Sequence, residues 1–221
     1  MGAIYKVDHE LRPIRRSLTQ HEHNQLNQLY DEHHQALQHA VDRKLKSHGR
    51  CLLIDLHSYS AKRQTYEQIS EVRPELCIST DDFHTPPRLA DQAGTIAFRR
   101  GFRTARNTPF AGTLVPIKHH QANPLVMSLM LEWRRDLYRP RHTTDQALLN
   151  NLRTVVAEIS AIDTSTMVKP MCPMCKCYAF TERLVRTGYL NNSNVFYCTN
   201  CDWQQVGRTT GRGGDALRSS V

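Results

Sequence analysis

The stretch Cys51-Leu52-Leu53-Ile54-Asp55-Leu56 is a short apolar run, and the polar residues His57-Ser58-Tyr59-Ser60 follow it directly. An aliphatic run of this length is typical of a buried strand. In open α/β sheets, the binding site usually lies where polar residues follow the carboxyl ends of the strands. The stretch therefore predicts an α/β fold whose functional site is at the strand tips.

Within this stretch, Asp55 and His57 are two residues apart. Side chains of a strand alternate between its faces, so both residues are expected on the same side. A carboxylate that orients a metal-binding histidine is a common arrangement. A hydrogen-bonded histidine at a strand end is at least as common, so the spacing alone leaves both interpretations open.

Further elements are predicted on both sides of this strand. Thr19 and Glu22 have the spacing of a capping box, apolar residues then recur at helical intervals, and Gly49 ends the pattern. A long helix is therefore predicted between Thr19 and Gly49. Other predicted elements are strands at residues 76–79 and 125–131 and helices at 91–101 and 143–159, with a turn-rich loop at 106–112.

The composition of the 221 residues is that of an ordinary globular protein, with 39% hydrophobic and 23% charged residues. No membrane-spanning segment and no export signal is recognisable, so a soluble, cytoplasmic protein is expected. The net charge of +8 permits an anionic small substrate as well as nucleic acid. The sequence leaves the oligomeric state open.

Five of the seven cysteines lie in the last fifty residues, which indicates metal binding rather than disulfides. Two C-x-x-C pairs can complete a closed tetrahedral zinc site: Cys172 with Cys175, and Cys198 with Cys201. Cys177 could replace Cys175 or stay free. Such a zinc would be structural, because four sulfur ligands leave no position for water. The chain is predicted to divide into residues 1–162, a zinc ribbon at 163–206 and a flexible tail at 207–221.

Five short motifs carry a resemblance to a known family. They are YDEHHQAL at residues 30–37, LIDLHS at 53–58, ISTDDFH at 78–84, NTPFAGT at 107–113, and MLE at 130–132 continuing to RDLY at 135–138. In this order they resemble the N-formylglutamate amidohydrolase family of zinc carboxypeptidase-like hydrolases, over residues 6–139. The resemblance implies a phosphorylase/hydrolase-like mixed open sheet flanked by helices.

The resemblance also implies an activity, the hydrolysis of the N-formyl amide of glutamate or a similar amino acid. In such enzymes zinc activates water, and a carboxylate moves the proton. By the family pattern, His57 is a ligand of a catalytic zinc and Glu132 is the general acid/base. Arg135 is the candidate for binding the substrate carboxylate, and Asn107 and Gly112 are expected to shape the loop over the substrate.

The chain also departs from the family pattern. The family's amino-terminal portion, with its remaining zinc ligands, is not recognisable, so the chain is expected to lack it. Trp133-Arg134 occupies a place where an aliphatic residue and asparagine are usual. His33, His34, His84, His119 and His120 are the other histidines that could serve as ligands. Two hypotheses therefore stand: a zinc amidohydrolase, or a non-catalytic remnant that binds nucleic acid or protein through its basic ribbon.

Overall fold

A computed structural model describes residues 4–8, 10–62, 73–139 and 143–167, together with the backbone of three later strands at 180–186, 192–198 and 204–207. The chain divides into two compact units, residues 1–168 and 169–221. The predicted division at residues 162 and 206 stays a prediction, because much of the chain after residue 167 lies outside the described residues.

The described residues of the first unit form a four-stranded sheet and three helices. In chain order its elements are α1 (Gln20–His48), β1 (Cys51–Tyr59), β2 (Leu76–Ser79), α2 (Pro87–Arg99), β3 (Thr104–Arg106), β4 (Val126–Arg134) and α3 (Gln146–Ser160). The strand order is β1-β4-β2-β3. β4 runs parallel to β1 and antiparallel to β2, and β3 runs parallel to β2. The prediction of a mixed sheet with flanking helices is confirmed.

One face of the sheet is apolar and is covered by α2 and α3. Its core contains side chains from β2 and β4, such as Leu76 and Leu131, packed with Leu89 of α2 and Val155 of α3. All four of these side chains are fully buried. This core fixes the sheet against the two helices and leaves the opposite face to carry other residue types.

The opposite face is covered by α1 only at the end where β1 and β4 begin. A small cluster there joins Val41 of α1 to Cys51 of β1, Val126 of β4 and Val115. The predicted caps of α1 are confirmed, since Thr19 forms a capping box and Gly49 ends the helix in the left-handed conformation. Among the described helices, none is apolar over a length that could cross a bilayer.

The strands extend further than the sequence predicted. β1 continues to Tyr59 and β4 to Arg134, so His57 and Glu132 lie within their strands rather than beyond them or at their ends. The polar residues after Leu56 keep the alternation of a strand, and this signal is weaker than an apolar run. The sequence also missed β3, and α2 begins at Pro87 rather than near residue 91, because proline is well suited to the first turn of a helix.

The second unit contains an antiparallel sheet of β5 (Phe180–Arg186), β6 (Asn192–Cys198) and β7 (Gln204–Gly207), in that order. β5 and β6 are adjacent in the chain and pair antiparallel. The predicted zinc ligands Cys172, Cys175 and Cys201 lie outside the described residues, as does the tail after Gly207. Of Cys198 only the backbone is described, so the zinc ribbon stays a prediction.

Candidate active site

The register of β1 and β4 brings His57 next to Glu132. The two residues are direct partners in the parallel pairing of these strands. Paired residues on adjacent strands carry their side chains on the same face, about 5 Å apart. The structure therefore unites the two residues that the sequence singled out on separate strands, and it places them on the face opposite α2 and α3.

His57 is held by the carboxylate that precedes it by two positions. Its Nε2 lies 3.0 Å from Oδ1 of Asp55, whose side chain is largely buried, whereas half of the His57 side chain is exposed. With Nε2 donating to Asp55, the neutral ring carries its lone pair on Nδ1. This arrangement fixes the direction of the ring and leaves Nδ1 available to accept a proton or to ligate a cation.

Glu132 is a buried carboxyl group with a shifted pKa. Burial raises its pKa above the ordinary value, the nearby carboxylate of Asp55 raises it further, and His57 acts in the opposite direction. Burial disfavours the charged form because the interior solvates a carboxylate poorly. A carboxyl group shifted in this direction is suited to accepting a proton and returning it later in a reaction.

Tyr59, Cys77 and Ser79 also lie on this face, and the sequence did not predict them as site residues. Tyr59 follows His57 at the strand spacing, and its hydroxyl donates to the carbonyl of Pro74 at 2.5 Å. Cys77 of β2 is the partner of Glu132 on the side away from β1, and Ser79 lies two residues further along. Burial raises the pKa of the Cys77 thiol and of the Tyr59 hydroxyl, so both stay protonated. The sequence signal that could have identified Tyr59 was its spacing of two residues from His57, which places both side chains on one face of a strand.

The loop after β3 carries the two predicted residues Asn107 and Gly112, and both attach it to Thr80. The Asn107 amide accepts from the Thr80 backbone N–H at 2.8 Å and donates to the Thr80 hydroxyl at 2.9 Å. The backbone N–H of Gly112 donates to the Thr80 carbonyl at 3.2 Å. Gly112 has φ 91°, a conformation that favours glycine. These contacts give both residues a role in holding the loop.

Phe110 fixes the middle of this loop on the site face. Its carbonyl accepts hydrogen bonds from the Ser79 hydroxyl at 2.8 Å and from the Cys77 thiol at 3.2 Å. Its ring meets the ring of Tyr59 edge to face, with 5.6 Å between the centroids. The loop therefore packs on Tyr59, Cys77 and Ser79, on the same face of the sheet as Glu132.

The structure places Arg135 beside Ser58 rather than beside Glu132. Its Nε donates to the Ser58 hydroxyl at 3.3 Å and its Nη2 to the Ser58 carbonyl at 3.2 Å. Ser58 directly follows His57 in β1, so its side chain is on the opposite face of the strand. Asp55, His57 and Glu132 thus share one face of the sheet, whereas Arg135 contacts Ser58, whose side chain is on the other face.

The other histidines have separate partners. Nδ1 of the buried His84 lies 2.7 Å from the Val126 carbonyl, and its Nε2 accepts from the Gln121 backbone N–H at 2.8 Å. His119 contacts Asp42 at 2.8 Å, and the His34 ring packs against Tyr30. Over the described part of the chain, no three His, Cys, Asp or Glu side chains are grouped to hold a metal ion.

Comparisons with known proteins bear on the family and the fold of the chain. A family model described as N-formylglutamate amidohydrolase matches residues 1–139. The crystal structure of N-formylglutamate amidohydrolase from Ralstonia eutropha is similar with a TM-score of 0.58 and 24% identity, covering 71% of this chain and 58% of that chain. That likeness shows a shared fold.

A structure of a gene product from Agrobacterium tumefaciens is similar with a TM-score of 0.49 and 16% identity, covering 72% of this chain and 65% of that chain. The chain thus spans less than two thirds of the length of either solved structure. No curated protein matches the chain.

Proposed function

The chain belongs to the N-formylglutamate amidohydrolase family, and we propose that it hydrolyses the N-formyl amide of glutamate or of a similar amino acid. The products are formate and the free amino acid. The observation that carries the proposal is the pairing of Glu132 with His57 across two neighbouring strands, with Asp55 holding the imidazole. Glu132 is buried and has a raised pKa, and both properties distinguish it from a carboxylate in a surface ion pair.

In the proposed reaction, Glu132 acts first as a base and then as an acid. It takes one proton from a water molecule, whose oxygen attacks the formyl carbon. The bond between this carbon and the amide nitrogen then breaks, and Glu132 passes the proton to the leaving nitrogen. Its burial supports both steps, because a raised pKa makes the protonated intermediate form accessible.

His57 is the residue that we propose as a ligand of a catalytic zinc ion. When bound, a zinc ion would polarise the formyl carbonyl and lower the pKa of a water molecule. His57 suits a ligand role, since Asp55 holds Nε2 and leaves Nδ1 for the metal. A catalytic zinc ordinarily needs about three protein ligands. The described residues supply no such group of three, so we assign no step to the metal.

Asn107 and Gly112 are proposed to shape the substrate side of the loop. Their contacts with Thr80 support this role, because they hold both ends of the segment that carries Phe110, which packs on the same face as Glu132. Both residues position the loop and are not assigned a contact with the substrate, since their described hydrogen bonds hold the loop against the end of β2. Arg135 is proposed to bind the substrate carboxylate, the role that the resemblance to the family implies. Its guanidinium contacts Ser58, so the neighbouring Arg134 is tested beside it for that role.

The central test is the substitution Glu132→Gln, which keeps the shape of the side chain and removes its acid/base function. We expect the rate of formate release from N-formylglutamate to fall by about 10²- to 10⁴-fold. Release of formate and of the amine is measured in parallel, with folding monitored by circular dichroism. Glu32→Gln is the matched control, because Glu32 is exposed on α1 and contacts Gln28 through one hydrogen bond.

Two results would count against the proposed reaction. One is the absence of formate release by the wild-type chain in the presence of added zinc. The other is an unchanged rate in a folded Glu132→Gln variant, because the carboxyl group would then have no part in the chemistry.

We also propose that Cys172, Cys175, Cys198 and Cys201 hold a structural zinc ion. Two antiparallel strands, β5 and β6, follow the first C-x-x-C pair, and β6 ends at Cys198 of the second pair, an arrangement that suits a zinc ribbon. Elemental analysis should find zinc that is lost in Cys172→Ser and retained in His57→Ala. Wild-type protein that contains no zinc would contradict this proposal.

A further inference from the structure

Two arginines stand next to each other where β4 ends, and they lie at different places relative to Glu132. Arg134 is two residues beyond Glu132 in the same strand, so it belongs to the same face, about 7 Å along the strand. In the pairing of β1 with β4, Arg134 is the partner of Tyr59, just as Glu132 is the partner of His57. The alternation therefore adds a guanidinium to the row of residues that forms the candidate site.

The contacts of Arg134 hold its side chain in place but use only part of its hydrogen-bonding capacity. Nε donates to Oδ1 of Asp136 at 2.9 Å, and Nη1 donates to the carbonyl of Arg73 at 3.1 Å. Within the described residues, Nη2 has no hydrogen-bond partner. A guanidinium has five N–H donors, so Arg134 can accept a carboxylate without losing these contacts.

The surroundings of Arg134 favour a carboxylate partner. Its side chain is 14% exposed, while that of Asp136 is 46% exposed. An ion pair with such an exposed carboxylate is weak because water screens it. A ligand carboxylate that meets Arg134 inside the site would be shielded from water and held more strongly.

We propose that Arg134 determines the substrate preference of this site, by binding a second carboxylate of an N-formyl dicarboxylic amino acid. The inference rests on the proposed reaction at Glu132. With the formyl amide over Glu132 and His57, a carboxylate several bonds away along the substrate extends toward Arg134. A substrate with a neutral side chain would offer no carboxylate to this guanidinium. Arg135, which contacts Ser58, is the alternative anchor.

The test compares N-formylglutamate with N-formylglutamine, which has nearly the same shape and one negative charge less. The measured quantity is the ratio of kcat/KM for the two compounds within each variant. This ratio does not depend on how much of the protein is correctly folded. The wild-type chain should prefer the glutamate compound, and Arg134→Gln should reduce the ratio by about 10- to 100-fold.

Three other variants sharpen the result. Arg134→Lys keeps the positive charge and should restore part of the ratio, which a merely structural role would not require. Arg153→Gln removes the same charge from the exposed side of α3 and should leave the ratio unchanged. If Arg135→Gln abolishes the preference and Arg134→Gln does not, the inference is overturned.

Binding measurements separate this inference from the proposed reaction. Calorimetric titration with N-formylglutamate in the Glu132→Gln background measures affinity without turnover. Affinity that is lost in Arg134→Gln supports the inference even if the wild-type chain releases no formate. Hydrolysis with an unchanged ratio in Arg134→Gln overturns the inference and keeps the reaction. Absence of both binding and hydrolysis overturns the two together.

Discussion

The two faces of the four-stranded sheet are built from the same strands but by different interactions. On the face covered by α2 and α3, Leu131 and its neighbours are fully buried among aliphatic side chains. On the opposite face, Glu132 lies among polar groups, and a loop is attached there by hydrogen bonds to Ser79 and Thr80. Adjacent residues of β4 therefore serve the fold and the site separately.

This comparison shows how a short chain can bury a carboxyl group without losing its core. The helix-covered face supplies apolar burial, which is proportional to area and needs no particular geometry. The site face buries polar atoms, each of which needs a partner. We therefore expect substitutions on the first face to change global stability, and substitutions on the second to change local order and proton transfer.

The largest expected effect on stability is that of Leu131→Ala. Removing this fully buried side chain should lower the free energy of unfolding by about 2–5 kcal/mol, because it leaves a cavity in the core. Leu56→Ala is the matched control, since Leu56 is the β1 partner of Leu131 but is 54% exposed. Chemical denaturation measures both. Equal losses for the two variants would contradict the difference between buried and exposed positions.

A smaller and more local effect is expected for Ser79→Ala. The variant removes the 2.8 Å hydrogen bond to the Phe110 carbonyl and should cost about 1 kcal/mol. The amides of Asn107 and Gly112, which bond to Ile78 and Thr80, should exchange with solvent faster. Hydrogen exchange measured by mass spectrometry checks this. Uniformly faster exchange through β4 would instead indicate global destabilisation.

The smallest effect is a pH dependence that arises from Glu132. Burial raises its pKa in the folded chain above the ordinary value of a glutamate, so its contribution to stability is fully present at a pH below that ordinary value. That contribution is lost as the pH rises through the folded-state pKa. The difference in unfolding free energy between the wild-type chain and Glu132→Gln should therefore fall as the pH rises above about 4.

The same group predicts the acid limb of the pH-rate profile. If ionised Glu132 is the base, activity falls as the pH decreases and Glu132 becomes protonated. Because its pKa is raised, this fall occurs at a higher pH than it would for an ordinary glutamate. Asp55→Asn removes a nearby negative charge and should move this limb to lower pH, along with a loss of rate because His57 is no longer held. A limb that does not move in Asp55→Asn would show that another group titrates.

Elements with strong local signals could be predicted from the sequence. The capping box of Thr19 and the left-handed Gly49 delimited α1, and the apolar run at residues 76–79 gave the bounds of β2. The family motifs identified His57 and Glu132 as a pair. The weak points were short or polar segments, such as the three residues of β3 and the polar end of β1.

The neighbours of the site could not be predicted, because strand order depends on contacts that are distant in sequence. β4 lies between β1 and β2, which makes Cys77 and His57 the two flanking partners of Glu132. Cys77 was recognisable only as a cysteine in apolar surroundings, and nothing in the sequence linked it to the carbonyl of Phe110. Likewise, only the register of β4 distinguishes Arg134 from Arg135.

By itself, the sequence determined most of the helices and strands and the residues that carry reactive groups, because local periodicity and side-chain chemistry follow directly from the order of the residues. Only the tertiary structure decided that Glu132 shares a face with Asp55 and His57, and that the loop at Phe110 packs on Tyr59 of that face. The physical reason is that a pKa and a hydrogen bond depend on distances across strands, and these distances exist only once the sheet is assembled.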